Sequence, residues 1–129
     1  MSSLGFCIAL ALALLLKPGG FSMNAPVCST WVWMSRSTTG RRLWKPLGNR
    51  TKNCKSANIM VARVTLLLYI YEALGVFWVL EQPTNSLMAC HPQLAKFLEK
   101  RAVKRVSIRM GEFGACDCNL RDLRVGRGM

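Results

Sequence analysis

Two side chains able to do chemistry stand at matching places in this chain. Cys28 follows the run from Phe21 to Val27, and Glu81 follows the apolar run from Val76 to Leu80; each opens a proline-containing or polar loop. A thiolate is a nucleophile, and a carboxyl group can hold or deliver a proton. A long amphipathic helical pattern separates the two, which is the layout of one α/β layer. In open parallel sheets ligands sit beyond the carboxyl ends of the strands, so successive strand ends can present both groups to one crevice. Each residue also has an ordinary structural reading. Cys28 then serves as a small buried apolar side chain at a strand end, and Glu81 caps the turn that follows it.

The charge distribution points to a different kind of chemistry. Eighteen Lys and Arg against six Asp and Glu give a net charge of +12 over 129 residues. Such a field attracts anions: nucleic acid, acidic membrane surface or acidic protein. Arg36, Arg41, Arg42, Lys45, Arg50, Lys52 and Lys55 form a block free of acids, and residues 34–52 read as a basic loop. Trp31, Trp33 and Trp44 lie among these cations, a mixture that stacks bases and binds phosphates, or that covers a sheet. A second basic block, from Lys96 to Arg127, has acids interspersed and reads as ordinary surface. Six scattered cysteines in a chain of this size read as free thiols. Cys116 and Cys118 with Cys90 and His91 lack the paired spacing of a zinc site, so no metal is expected.

The elements that must position these residues follow from periodicity. Gly5 to Leu16 is an apolar run stopped by Lys17-Pro18-Gly19-Gly20, which reads as an interior helix turning into a strand at Phe21. The alternative is a secretory signal segment over residues 1–20. In a secreted chain Asn49-Arg50-Thr51 would be a glycosylation acceptor. From Asn53, offered as the cap, apolar residues fall at Ala57, Met60, Val61, Val64, Leu67, Leu68, Tyr71 and Leu74, the spacing of a helix with one buried stripe. Gly75 ends it, and Val76 to Leu80 read as a strand buried on both faces. Residues 64–80 would alternatively make a membrane span, but Glu72 and Gly75 favour helix followed by strand. Thr84 or Ser86 caps a short turn, Pro92 starts a helix running to about Lys100, and Val106, Ile108 and Met110 alternate as a third strand. The fold class expected is therefore α/β: a partial Rossmann-like parallel sheet of about three strands with crossover helices, one domain over 1–129, ending in a Gly/Arg-rich tail over 111–129.

Ala25-Pro26-Val27-Cys28-Ser29, the strand ending in Glu81-Gln82-Pro83, and Met110-Gly111-Glu112-Phe113-Gly114 followed by Arg121 and Arg124 occur in an order that resembles the Pro-Cys and Glu-Asn half of cytosine-5 DNA methyltransferases. Longer stretches, Cys28 to Arg36, Thr39-Gly40-Arg41, Pro46 to Asn49 and Leu80 to Met88, look closer still to an uncharacterised family abundant in dinoflagellate algae. The methyltransferase resemblance implies that Cys28 adds as a thiolate to carbon 6 of a flipped cytosine while Glu81 holds the ring nitrogen. Arg121 or Arg124 would assist. The acid-free basic block would lower the thiol pKa.

The sequence departs from that pattern in several places. Val27 replaces a proline, Gln82 stands where asparagine is expected, and Gly19-Gly20 precedes a strand rather than following one. The glycine turn that would hold S-adenosylmethionine is therefore absent, and the chain would need a preceding half to bind that cofactor. These departures lead to the expectation of a methyltransferase-like, non-catalytic fragment that is intracellular and binds DNA or RNA through Arg36, Arg41, Arg42, Lys45, Trp44, Arg121 and Arg124. The competing expectation is a small basic secreted or membrane-associated protein whose first twenty residues are a signal segment.

Overall fold

The computed structural model describes residues 2–109 and 120–127. Helix α1 (Ser3–Leu14) starts at Ser2, whose hydroxyl accepts the Gly5 N–H at 3.1 Å. It stops at the turn carrying Pro18 and Gly19, where Gly19 takes a positive φ of 80° and donates its N–H to the Gly75 carbonyl. Strand β1 (Phe21–Asn24) follows directly, as the sequence order requires. Nearly every residue of α1 is apolar. Phe6, Ala9, Leu10 and Ala13 reach the core, while Leu4, Ile8 and Leu12 face outward.

After a short helix α2 (Arg36–Thr39), the long helix α3 (Lys52–Ala73) is capped by Thr51, not Asn53. The Thr51 hydroxyl accepts the Cys54 N–H, and Asn53 sits inside the first turn. Its buried stripe contains Ala57, Met60, Val61, Val64, Leu67, Leu68 and Tyr71, as the periodicity demands, with Cys54 and Thr65 added. Gly75, at φ 69°, closes the helix in a Schellman arrangement. The Gly75 N–H donates to the Glu72 carbonyl and the Val76 N–H to the Tyr71 carbonyl. Strand β2 (Phe77–Pro83) then begins. Residues 64–80 are thus helix and strand in succession, and among the described residues no helix is long and apolar enough to cross a membrane.

The α/β class holds, but the sheet differs from an all-parallel, three-stranded one. Helix α4 (Pro92–Glu99) leads to β3 (Lys104–Arg109), and a fourth strand, β4 (Leu120–Arg127), completes the order β1-β2-β4-β3. Strand β1 pairs with β2 in parallel, from Phe21↔Phe77 to Asn24↔Leu80, so the β1-α3-β2 crossover forms as expected. Strand β4 is antiparallel to both β2 and β3. Two antiparallel pairings leave β3 pointing the same way as β2, one strand position further out. The crossover through α4 therefore keeps its direction and loses its hydrogen-bonded neighbour, because β4 occupies the gap.

The segment over 111–129 that reads as a Gly/Arg-rich tail consequently supplies an interior strand; residues 110–119 lie outside the described residues. Its pattern hides this role, since Leu120, Leu123 and Val125 do not alternate cleanly. Gly126 fits because it lies against Trp78: a Cβ there would overlap the indole ring. Trp78, Leu80, Leu68, Leu94 and Phe97 pack as one core between the sheet and the α3 and α4 helices. Phe97 anchors that core, with Trp78 tilted against it at 5.6 Å and Tyr69 edge-on at 4.8 Å.

Candidate nucleic-acid interface

The basic loop is built around a buried arginine. Arg41 has no exposed surface, and its guanidinium stacks 3.4 Å over the ring of Trp31, which is also fully buried. From there Nη1 donates to the Pro46 carbonyl (2.6 Å) and Asn58 Oδ1 (2.8 Å), while Nη2 donates to Thr30 Oγ1 (3.3 Å) and the Cys54 carbonyl (3.4 Å). The planar fork of an arginine suits this, since it delivers several donors from one rigid group. Arg41 thus ties the loop to α3 and is not available to phosphates, which corrects its placement among the nucleic-acid ligands. Gly48 completes the arrangement at φ 70°, where a Cβ would meet the Thr39 carbonyl at 2.6 Å and Arg41 Cγ at 2.9 Å.

His91 also packs against Trp31, edge-on at 5.8 Å, and is almost wholly buried. Burial lowers its pKa from the ordinary imidazole value, and the positive charge of Arg41 lowers it further. Burial likewise pulls the Arg41 guanidinium below its ordinary value, with Cys54 acting in the opposite sense. For His91, a depressed folded-state pKa means that the unfolded chain binds the proton first, so stability is retained above about pH 6.5 and declines as pH falls from there toward the folded value. Urea midpoints measured between pH 7.5 and 5 should fall with acidity, and His91→Gln should flatten that slope.

Of the remaining aromatic and basic residues of the loop, Trp33, Arg42, Trp44 and Lys45 face solvent, and Arg36 is half-buried. Trp33 opens a short 3-10 turn (Trp33–Ser35) leading into α2, and Arg36 lies 3.5 Å over its ring. Further on, Arg42 and Lys45 exchange backbone hydrogen bonds of 3.1 and 3.0 Å, leaving Leu43 and Trp44 at the tip of a tight turn. Arg42 sits 5.6 Å from the Trp44 ring centre. Trp33 and Trp44 remain 61% and 78% exposed, and both line one groove of about 590 Å³ together with Met34, Arg36, Arg42 and Leu43. No Asp or Glu occurs before Glu72, so the whole loop lies in an acid-free part of the chain.

Arg124, on β4, stands in register with Leu80 of β2 and Arg105 of β3, and these three line a smaller cleft of about 200 Å³ with Gln82 and Ser86. Leu43 lines both this cleft and the aromatic groove, so the two adjoin. Arg121 stands in register with Pro83 and Ile108. Arg105, Met34 and Leu43 are members of the surface that sequence reasoning missed. The signal for Leu43 was present: two apolar residues, Leu43 and Trp44, between cations at a turn, where polar residues normally sit.

The thiol and the carboxyl are not brought to one rim. Cys28 is half-buried and packs against the core on the helix side of the sheet. Strand alternation sends Trp78, Leu80 and Gln82 to that same side and Glu81 to the opposite one. Glu81 is also not at a strand end, since β2 continues to Pro83 along β4. The residue that does reach back toward the Cys28 loop is its neighbour Gln82, buried, with its amide on the Pro26 carbonyl at 3.4 Å and accepting from Ser86 Oγ at 3.0 Å. Ser86 in turn caps the following turn by accepting the Met88 N–H. Beyond β1, Ala25 to Thr30 contain no glycine and run into a turn rather than a helix N-terminus.

The four described cysteines Cys7, Cys28, Cys54 and Cys90 are free thiols; Cys116 and Cys118 lie outside the described residues. Among the described residues no group of three potential metal ligands is assembled. No protein-family model matches the chain, and no curated protein and no solved structure shows significant similarity to it.

Proposed function

We propose that this chain is a non-catalytic nucleic-acid-binding domain, methyltransferase-like only in the order of its motifs. The observation that carries the reading is the groove in which two exposed indoles, Trp33 and Trp44, each lie beside a guanidinium in an acid-free stretch. The separation of Cys28 from Glu81 supports a binding role rather than a thiol-dependent transfer. Phosphates would be met by Arg36, Arg42 and Lys45, with Arg124 beyond Leu43.

Retention on immobilised DNA and RNA at several salt concentrations tests this. Each neutralised phosphate contact removes roughly 0.7–0.9 from the slope of log affinity against log salt. The triple variant Arg36→Gln, Arg42→Gln, Lys45→Gln should therefore bind with a slope shallower by about 2 to 3. Affinity that ignores both salt and this triple change would refute the reading. Arg41 is excluded from the set because its guanidinium is buried and hydrogen-bonded within the protein.

A second reading, a small basic membrane-associated protein, draws on the exposed Leu4, Ile8, Leu12 and Leu15 of the first helical segment. Intact mass of the mature chain decides it: removal of about the first 20 residues is what a signal segment requires.

A further inference from the structure

We infer that the groove selects single-stranded nucleic acid, by stacking unpaired bases on Trp33 and Trp44; the inference rests on the binding role proposed above and names its substrate class. Arg36 covers one face of the Trp33 ring, yet that residue is 61% exposed, so the other face is open to solvent. Trp44 is more exposed still, and the reciprocal Arg42–Lys45 backbone bonds hold its position at the turn tip. Two rings presented on the walls of one concavity, at defined positions, are stacking platforms. Every base has a π-face, but a duplex hides those faces inside its own stack, so only an unpaired strand can use them.

The groove's volume of about 590 Å³ falls within the roughly 300–1,000 Å³ of ordinary ligand clefts. The adjoining cleft, shared through Leu43, carries Arg105 and Arg124, and no acid is among its described lining residues. Exposed Met34 and Leu43 would also suit a bilayer surface. The pairing of each indole with a guanidinium inside a concavity favours the nucleic acid, and vesicles enter the test as a competing outcome.

The experiment uses the full chain with a fluorescently labelled 12-nucleotide oligothymidylate, a 12-base-pair duplex, and vesicles of phosphatidylcholine with phosphatidylserine, all at one salt concentration. The oligothymidylate should bind at least about tenfold more tightly than the duplex and quench tryptophan emission, given the usual worth of one stacked base. Trp33→Ala and Trp44→Ala should each weaken that binding roughly 5- to 150-fold, with Phe partly restoring it, and should leave duplex binding and the salt slope unchanged. Both rings are exposed, so the unfolding midpoints should not move. Equal binding of both nucleic acids, with the tryptophan variants unaffected and the charge variant weakened, would overturn stacking and leave the binding role intact. Binding of neither nucleic acid would remove both claims, and capture by vesicles alone would replace them with a membrane surface.

Discussion

Replacing Arg41 by alanine should lower stability by about 3–4 kcal/mol, more than any other single change in the basic loop. The substitution deletes four hydrogen bonds and the stack on Trp31, and leaves the Pro46 and Cys54 carbonyls and the Asn58 amide facing a void. Unsatisfied buried polar groups cost about 1–3 kcal/mol each, and a cavity adds to this, although partial collapse and water entry recover some of it. Arg41→Lys should restore little, because an ammonium cannot supply donors in two directions from one plane. The neighbouring Arg42→Ala provides the control, since exposed substitutions usually shift stability by less than about 0.5 kcal/mol. Urea denaturation of the three variants gives the comparison. Equal midpoints for Arg41→Ala and Arg42→Ala would show that the loop is not held by this side chain.

Gly126→Ala should be nearly as damaging, at about 2–3 kcal/mol, because overpacking against a rigid ring cannot be relieved by a rotamer change. The added methyl would occupy the space of the Trp78 indole, which lies across the β2–β4 pair in the core. A double-mutant cycle with Trp78→Phe isolates this contact. The smaller ring makes room, so the pair of substitutions should cost less than the sum of the two. Strict additivity would mean that Gly126 does not meet Trp78, and that β4 does not lie where the sheet places it. Trp78→Phe alone should lower stability through lost packing, which sets the scale for the coupling.

These two residues also mark what could not be read locally. Arg41 and Arg42 are adjacent cations in one block, and no pattern within the block distinguishes the one that stacks on Trp31 from the one beside Trp44. Trp31 and Trp33 divide in the same way: one is the floor of the core, the other a solvent-facing ring. Gly126 sits in a run of arginines and glycines whose composition resembles an unstructured tail, yet its absence of a side chain is what allows an interior strand to pass Trp78.

Periodicity carried the elements that bury one face through their own geometry. The α3 stripe, its stop at Gly75, the strand that follows and the parallel return to β1 all came from residues within reach of one helix or one strand. The acid-free character of the loop was equally a property of composition. Tertiary structure alone decided the position of β4, the separation of Cys28 from Glu81 across the sheet, and the division of the loop's cations and indoles into staple and surface. The physical reason is common to all three: strand pairing and burial are set by contacts between segments far apart in the chain, and a one-residue change of register or face leaves local composition untouched while reversing what a side chain meets.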